Sequence, residues 1–178
     1  MKMRNIIMYI LLGTTLLGSC TRNDRMQEEV EELHEKSISF PTGYVSTNPS
    51  LTDRTLNSKA KVITFIENPP CTQCIIKTIH IYQREIAKIS KNISYVIVIS
   101  TKEKKKFIEI LDSIPLRYPV LLYDSNSFCV ENHLEDISAF NRTFLLDTEN
   151  KIILTGEPFN KEKLADLYRR TTYSMCSK

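Results

Sequence analysis

Two cysteines separated by two residues, Cys71 and Cys74, are the side chains of this sequence best suited to chemistry. The thiolate of one cysteine can attack a disulfide in another molecule, and a second thiol two residues away can displace it from the mixed disulfide. Unpaired N–H groups and the positive end of the helix dipole favour the thiolate when such a pair opens a helix. The pair is therefore suited to redox chemistry if the neighbouring segments place it at a helix start.

The flanking sequence predicts a strand that leads into a helix. Residues 61–66 are mostly β-branched or aromatic, as in a buried strand, and Asn68-Pro69-Pro70 ends this run. Proline is favoured at helix starts because its missing N–H would be unpaired there. Downstream, apolar residues recur with helical periodicity in one stripe formed by Ile75, Ile79, Tyr82, Ile86 and Ile89. The pair therefore falls in the first turn of a helix, which favours a redox dithiol.

Two other interpretations of the pair stay open at this point. Cys71 and Cys74 could form a static structural disulfide, or they could be half of a zinc site that Cys129 and His133 complete. No second Cys-x-x-Cys follows in the sequence, which disfavours zinc. We therefore expect neither a metal ion nor a cofactor.

The rest of the chain predicts an α/β fold. After the first helix, the patterns predict a strand at 93–100, a helix after Thr101, a strand at 118–123, an irregular segment at 128–140, a hairpin at 143–147 and 151–155, and a helix after Asn160. Early alternation of strands and helices, followed by a hairpin, indicates three layers around a mixed sheet. The net charge of +3 is close to balance, and no run of Lys and Arg is interleaved with aromatic residues, so no nucleic acid partner is expected.

The start of the chain predicts export. A positively charged beginning precedes an apolar run at 6–17 that is too short for a spanning helix. This run ends in Leu17-Gly18-Ser19-Cys20, which resembles the bacterial lipobox. The resemblance implies that residues 1–19 are a signal peptide and that Cys20 is lipidated and anchors the chain to a membrane. The alternative is an ordinary cleaved signal followed by an incidental cysteine.

Lipidation implies that the protein belongs to the bacterial cell envelope, with its domain in the periplasm, where disulfides persist. Thr21 follows the lipidated cysteine in place of the Asp that usually retains lipoproteins at the inner membrane, which favours the outer membrane. Residues 20–59 predict a polar tether with a short helix, an edge strand at 37–40 and a turn at Asn48-Pro49-Ser50. Residues 173–178 are predicted to be a C-terminal tail.

The strand, the Cys-x-x-Cys pair at a helix start, the βαβ unit and the hairpin from Thr143 to Pro158 together resemble the thioredoxin-like superfamily. The additional strand at 118–123 and the segment at 128–140 are similar to the insertion found in its periplasmic TlpA and redoxin-like branch. The resemblance implies that residues 60–172 form a thioredoxin-like three-layer α/β/α sandwich with a central mixed β-sheet.

By position, the resemblance implies that Cys71 is the exposed attacking thiol, that Cys74 is the buried resolving thiol, and that the two form a disulfide. The implied function is a lipid-anchored thiol–disulfide oxidoreductase whose partners are protein thiols and disulfides of the periplasm. The chain departs from the family because it has no tryptophan and lacks the cis-proline expected near Asn141. Thr72-Gln73 contains no His or Lys that would stabilise a thiolate strongly, so we expect no strong oxidant.

Two other function classes use a similar fold. A binding module, or a copper-delivery protein of the Sco type, would use the cysteines without redox turnover. The Sco family has a wider cysteine spacing and a later histidine, for which His133 is the candidate here. A thiol peroxidase would need a Thr three residues before the attacking cysteine, where this chain has Asn68. The redox potential of the pair distinguishes a binding module or copper-delivery protein from an oxidoreductase. Peroxide consumption tests for a thiol peroxidase.

The lipobox predicts that Cys20 anchors the protein. The substitution Cys20→Ala should abolish fatty-acid labelling and move the protein from the membrane fraction to the soluble fraction, because the acyl chains would attach at this residue. The matched control is Cys176→Ala, which removes one thiol and leaves the lipobox intact. Unchanged membrane association of the Cys20→Ala protein would contradict the prediction.

Overall fold

A computed structural model describes the chain over residues 24–69, 71–90, 93–124 and 126–177. The chain divides into two units, Met1–Leu33 and His34–Lys178. In the first unit, residues 24–33 form a helix, α1, which agrees with the short helix predicted there. The predicted signal peptide and Cys20 lie outside the described residues. Among the helices of the described ranges, none is both long and apolar enough to cross a membrane.

The strands of the second unit are β1 (Val45–Ser46), β2 (Lys61–Glu67), β3 (Ser94–Thr101), β4 (Val120–Asp124), β5 (Thr143–Leu146) and β6 (Ile152–Thr155). They form one six-stranded sheet in the order β1-β4-β3-β2-β5-β6. β2, β3 and β4 are parallel, whereas β5 runs antiparallel to both β2 and β6, and β1 runs antiparallel to β4. The predicted mixed sheet is therefore confirmed, and β2 lies near its centre.

The described helices of this unit are α2 (Pro49–Leu56), α3 (Thr72–Ile89), α4 (Lys104–Leu111), α5 (Ser127–Glu131) and α6 (Glu162–Cys176), with a 3₁₀ turn at Ala139–Asn141. Residues of α3, α4 and α6 join one buried cluster with Val62 of β2. Side chains alternate along a strand, so Phe65 points to the opposite face. There its ring lies 6.0 Å from that of Phe128 in α5. Helices on both faces of the sheet confirm the three-layer α/β/α sandwich.

Several local expectations differ from the structure. The segment at 128–140, predicted to be irregular, contains most of α5 and the 3₁₀ turn. The edge strand is Val45–Ser46, whereas residues 37–40 contribute only an isolated bridge from Ser37 to Lys151. The predicted turn at Asn48-Pro49-Ser50 begins α2, because the side chain of Asn48 accepts a hydrogen bond from the Leu51 N–H at 3.0 Å and caps the helix. At the other end, α6 continues to Cys176, so the first residues of the predicted tail are helical.

A chain of buried hydroxyl groups connects the layers around β2. The Tyr95 hydroxyl donates to Oγ1 of Thr64 at 3.1 Å, and this oxygen lies 2.9 Å from Oγ1 of Thr143 on β5. From α6, the Tyr168 hydroxyl lies 2.9 Å from the carbonyl oxygen of Gly156 and 3.2 Å from that of Thr143. Buried polar groups without partners are costly, so these contacts specify how α6 and β5 align with β2.

The Tyr168 hydroxyl should therefore stabilise the fold measurably. The substitution Tyr168→Phe should lower the free energy of unfolding by about 1 kcal/mol, because it removes a buried hydrogen-bond donor while keeping the ring. Tyr173→Phe is the matched control on the same helix, since its side chain is 76% exposed. Urea unfolding measures both values, and equal stabilities of the two variants would contradict this account of α6.

Candidate active site

The connection from β2 to α3 determines where the cysteines lie. Asn68 adopts a left-handed backbone conformation, with φ of 43°, which Asn tolerates better than most residues. Its N–H donates to the carbonyl oxygen of Ser100 at 2.9 Å, so the pairing with β3 continues past the end of β2. The chain then reaches Cys71, the N-cap residue of α3. Strand pairing and a local turn thus place the first cysteine at the helix start, as the sequence predicts.

Cys71 and Cys74 form a disulfide, with their Cα atoms 5.3 Å apart. The sulfur of Cys71 also accepts a hydrogen bond from the backbone N–H of Cys74 at 3.1 Å, and the carbonyl oxygen of Cys71 accepts one from Ile75 at 3.2 Å. The sulfur therefore takes the position that a Ser or Asp oxygen takes in an ordinary N-cap. Once the disulfide is reduced, this N–H and the helix dipole favour negative charge on Cys71.

The exposure of the two cysteines differs from the expectation. Cys74 is exposed and Cys71 is partly buried, whereas the family resemblance implies a buried Cys74. The reason lies in the orientation of α3, whose buried face begins with Ile75 and continues through Ile79 and Ile86. Cys74 precedes this face by one position and is directed to solvent. Both sulfurs belong to the surface of the protein at the start of α3.

A charged pair lies at the end of β2, close in sequence to the disulfide, and sequence reasoning missed it. The guanidinium of Arg142 is 3.8 Å from Oε2 of Glu67, and its central carbon lies 5.3 Å from the centre of the Phe65 ring. The Arg142 carbonyl oxygen also accepts a hydrogen bond from the Phe65 N–H at 3.0 Å. The antiparallel pairing of β5 with β2 brings the end of β2 close to the residue before β5. The sequence carries opposite charges at these two places, Glu67 and Arg142, and this was the available signal.

Arg142 is the residue directly before β5, next to the place where the family carries its cis-proline. Among the described residues no peptide bond is cis. Asn141 ends the 3₁₀ turn and is buried. The missing proline, noted in the sequence, is thus accompanied by a turn that directs Asn141 inward and leaves Arg142 beside Glu67.

Cys129 is fully buried in α5, and its thiol interacts with the Glu67 carboxylate. Burial and, next, the negative charge of Glu67 raise the pKa of the Cys129 thiol to about 12. His133, by contrast, is exposed. Within the described ranges, no three His, Cys, Asp or Glu side chains are placed to hold a metal ion together. The described residues therefore do not group Cys129 and His133 with the cysteine pair, as the zinc interpretation requires, or His133 with that pair, as the copper interpretation requires.

An open groove of about 620 Å³ lies beside the disulfide, between the β2–α3 connection and the beginning of α4. Asn68, Pro69, Cys71 and Gln73 line one side. The other side is lined by the last residue of β3 and by residues that follow it, namely Thr101, Lys102, Glu103, Lys106 and Ile110. Cys71 therefore borders a groove that is open to solvent.

No family model and no curated protein matches this chain. Among solved structures, a candidate protein disulfide isomerase from Bacteroides thetaiotaomicron is 17% identical, with a TM-score of 0.50, and the match covers 82% of this chain and 92% of that one. Yeast Sco1 is 14% identical, with a TM-score of 0.50, and the match covers 78% of this chain and 96% of that one. Similarity at this level establishes the fold, which is thioredoxin-like and carries a Cys-x-x-Cys disulfide.

The two remaining thiols should differ sharply in reactivity. Cys176 is exposed and should react with iodoacetamide in the native protein, whereas Cys129 should react only after unfolding, because it is buried and only about one thiol in ten thousand ionises near pH 8 at a pKa of about 12. Mass spectrometry of the alkylated, non-reduced protein measures both. Both are free thiols in the structure. A linked peptide pair containing Cys129 and Cys176 would contradict the prediction.

Proposed function

We propose that this protein is a lipid-anchored thiol–disulfide oxidoreductase of the bacterial cell envelope that exchanges disulfides with protein partners through Cys71 and Cys74. The observation that carries the proposal is the surface disulfide at the start of α3, in which the Cys71 sulfur accepts the N–H of Cys74. A static disulfide needs neither exposure nor stabilisation of a thiolate, whereas an exchanging disulfide needs both.

The exchange begins when the Cys71 thiolate of the reduced protein attacks one sulfur of a partner disulfide. A bond forms between Cys71 and the partner, and the partner's second sulfur leaves as a thiolate. The Cys74 thiolate then attacks Cys71, which closes the Cys71–Cys74 bond and releases the partner's first sulfur. Two electrons pass from the dithiol to the partner, and the same steps in reverse oxidise a partner dithiol.

The assignment of Cys71 as the attacking residue is supported by its N-cap position, because the Cys74 N–H stabilises a negative sulfur there. Exposure alone would favour Cys74. The hydrogen bond is the stronger argument, since reactivity follows the thiolate fraction as well as access. Cys74 is near enough to resolve the intermediate, with its Cα 5.3 Å from that of Cys71.

The location is supported by the lipobox at Cys20 and by the disulfide, which persists in oxidising compartments. The anchor would hold the thioredoxin-like domain in the periplasm, where protein thiols and disulfides are its partners. The outer membrane is favoured because Thr21 follows Cys20.

The proposal predicts different behaviour for two single substitutions. Cys74→Ser should accumulate mixed disulfides with partner proteins, because Cys71 can attack but the intermediate cannot be resolved. Cys71→Ser should accumulate far fewer, and the wild-type protein serves as the control with both cysteines. Non-reducing gel electrophoresis after acid quenching measures the adducts, together with the redox potential of the purified pair. Equal trapping by both variants would contradict the assigned roles.

A further inference from the structure

The groove beside the disulfide is bordered by a short lysine-rich segment, residues 102–106, in which only Glu103 is not a lysine. Lys102 and Lys106 line the groove together with Cys71. Both lysine side chains are exposed. Positive charge is therefore placed along the path by which a partner segment would approach the reactive sulfur.

The lysines of this segment are not equally neutralised within the protein. Lys104 pairs with Asp124 at 3.0 Å, and Lys106 pairs with Glu103 at 3.1 Å. No ion pair or hydrogen bond to the side chain of Lys102 is found in the part of the chain that the structure describes. Lys102 and Lys106 thus outnumber Glu103, the one acidic residue among the described residues that line the groove. The exposed Lys106–Glu103 pair can also exchange its partner at little cost, since surface ion pairs are weak.

We propose that this groove binds the segment of a partner protein that flanks its reactive cysteine, and that Lys102 and Lys106 favour partners with acidic residues in that segment. The inference rests on the proposed disulfide exchange and adds the substrate class. Charged grooves raise encounter rates with ligands of opposite charge, and they discriminate against ligands of like charge.

The size of the groove and its openness to solvent leave room for a short peptide segment as the occupant. Its volume of about 620 Å³ lies within the range of sites that bind small molecules or short segments, and it is open along the surface. Pro69 and Ile110 supply apolar contact, while Gln73 supplies a polar side chain beside the disulfide. When the cysteine of a partner protein reaches Cys71, the residues that flank this cysteine must lie along the groove. Charged side chains among these flanking residues are then close to Lys102 and Lys106.

The test measures reduction of the Cys71–Cys74 disulfide in the full-length protein by three reduced peptides. Each peptide carries one cysteine, flanked by Glu, by Gln or by Lys residues. The peptide thiolate attacks the Cys71 sulfur and releases Cys74 as a thiolate, and a second peptide thiol completes the reduction and leaves a peptide disulfide. Flanking charges alter the reactivity of the peptide thiol itself. Each rate is therefore divided by that of the same peptide with the uncharged hydroxyethyl disulfide.

In the wild-type protein, the corrected rate should be about five-fold higher for the Glu peptide than for the Lys peptide at low ionic strength, and the difference should shrink in about 0.5 M salt. The double variant with Lys102→Glu and Lys106→Glu should remove or reverse this preference. Lys105→Glu with Lys163→Glu is the matched control, because it changes the net charge equally and neither residue lines the groove. This control should keep the preference.

Dithiothreitol, an uncharged dithiol, tests the proposed disulfide exchange separately from the proposed preference for acidic partners. Reduction of the pair by dithiothreitol and by all three peptides with no preference for acidic flanks would overturn the inference and leave the oxidoreductase proposal standing. Equal loss of preference in the groove variant and in the control would also overturn it, because the effect would then be one of net charge. Failure of every thiol to reduce the pair would overturn the proposed exchange and the inference together.

Discussion

The anchoring of β2 on both sides is the constraint on which the candidate active site depends. All residues of β2, from Lys61 to Glu67, pair with β3, and the first four also pair with β5. A strand held between two partners cannot slip by one residue without turning its buried face outward. Its end is therefore fixed, and the turn at Asn68 carries the chain directly to Cys71 at the start of α3. The position of the disulfide is a consequence of the register of the sheet.

Two cysteines near this end of β2, Cys71 and Cys129, have different chemical environments. Beyond the strand, the sulfur of Cys71 accepts a hydrogen bond from the backbone N–H of Cys74, which favours a thiolate once the disulfide is reduced. Behind it, Cys129 is fully buried and faces the Glu67 carboxylate, so burial and, next, the charge of Glu67 raise the pKa of its thiol to about 12. The guanidinium of Arg142 pairs with the Glu67 carboxylate, so this partly buried carboxylate is not an isolated charge. The two cysteines near the end of β2 therefore differ in environment: the sulfur of Cys71 is favoured as a thiolate once reduced, whereas Cys129 is held as a buried, protonated thiol.

The sequence allowed the main elements to be predicted because their signals are local. The stripe from Ile75 to Ile89 repeats at the helical period, and the short, continuous, β-branched run of β3 is typical of a strand that is buried on both faces. The start of α2 was missed because Asn48-Pro49 signals either a turn or a helix cap, and the side-chain hydrogen bond to Leu51 decides between them. The exposure of Cys74 depends on how α3 rotates against the sheet, and the Glu67–Arg142 contact depends on the pairing of β5. Neither can be read from periodicity.

The chain has no cis-proline before β5, which bears on the proposed recognition of partners. The family resemblance implies that the residue beside this proline pairs with the backbone of the substrate. Here Asn141 is buried, and Arg142 contacts Glu67 and the Phe65 ring, so the segment directly before β5 is occupied by contacts within the protein. The groove that Lys102 and Lys106 line is on the α4 side and remains open to solvent. If the pair exchanges disulfides, side chains along that groove are the better placed to select the partner, and selection by charge tolerates more variation in the partner's backbone than strand-like pairing does.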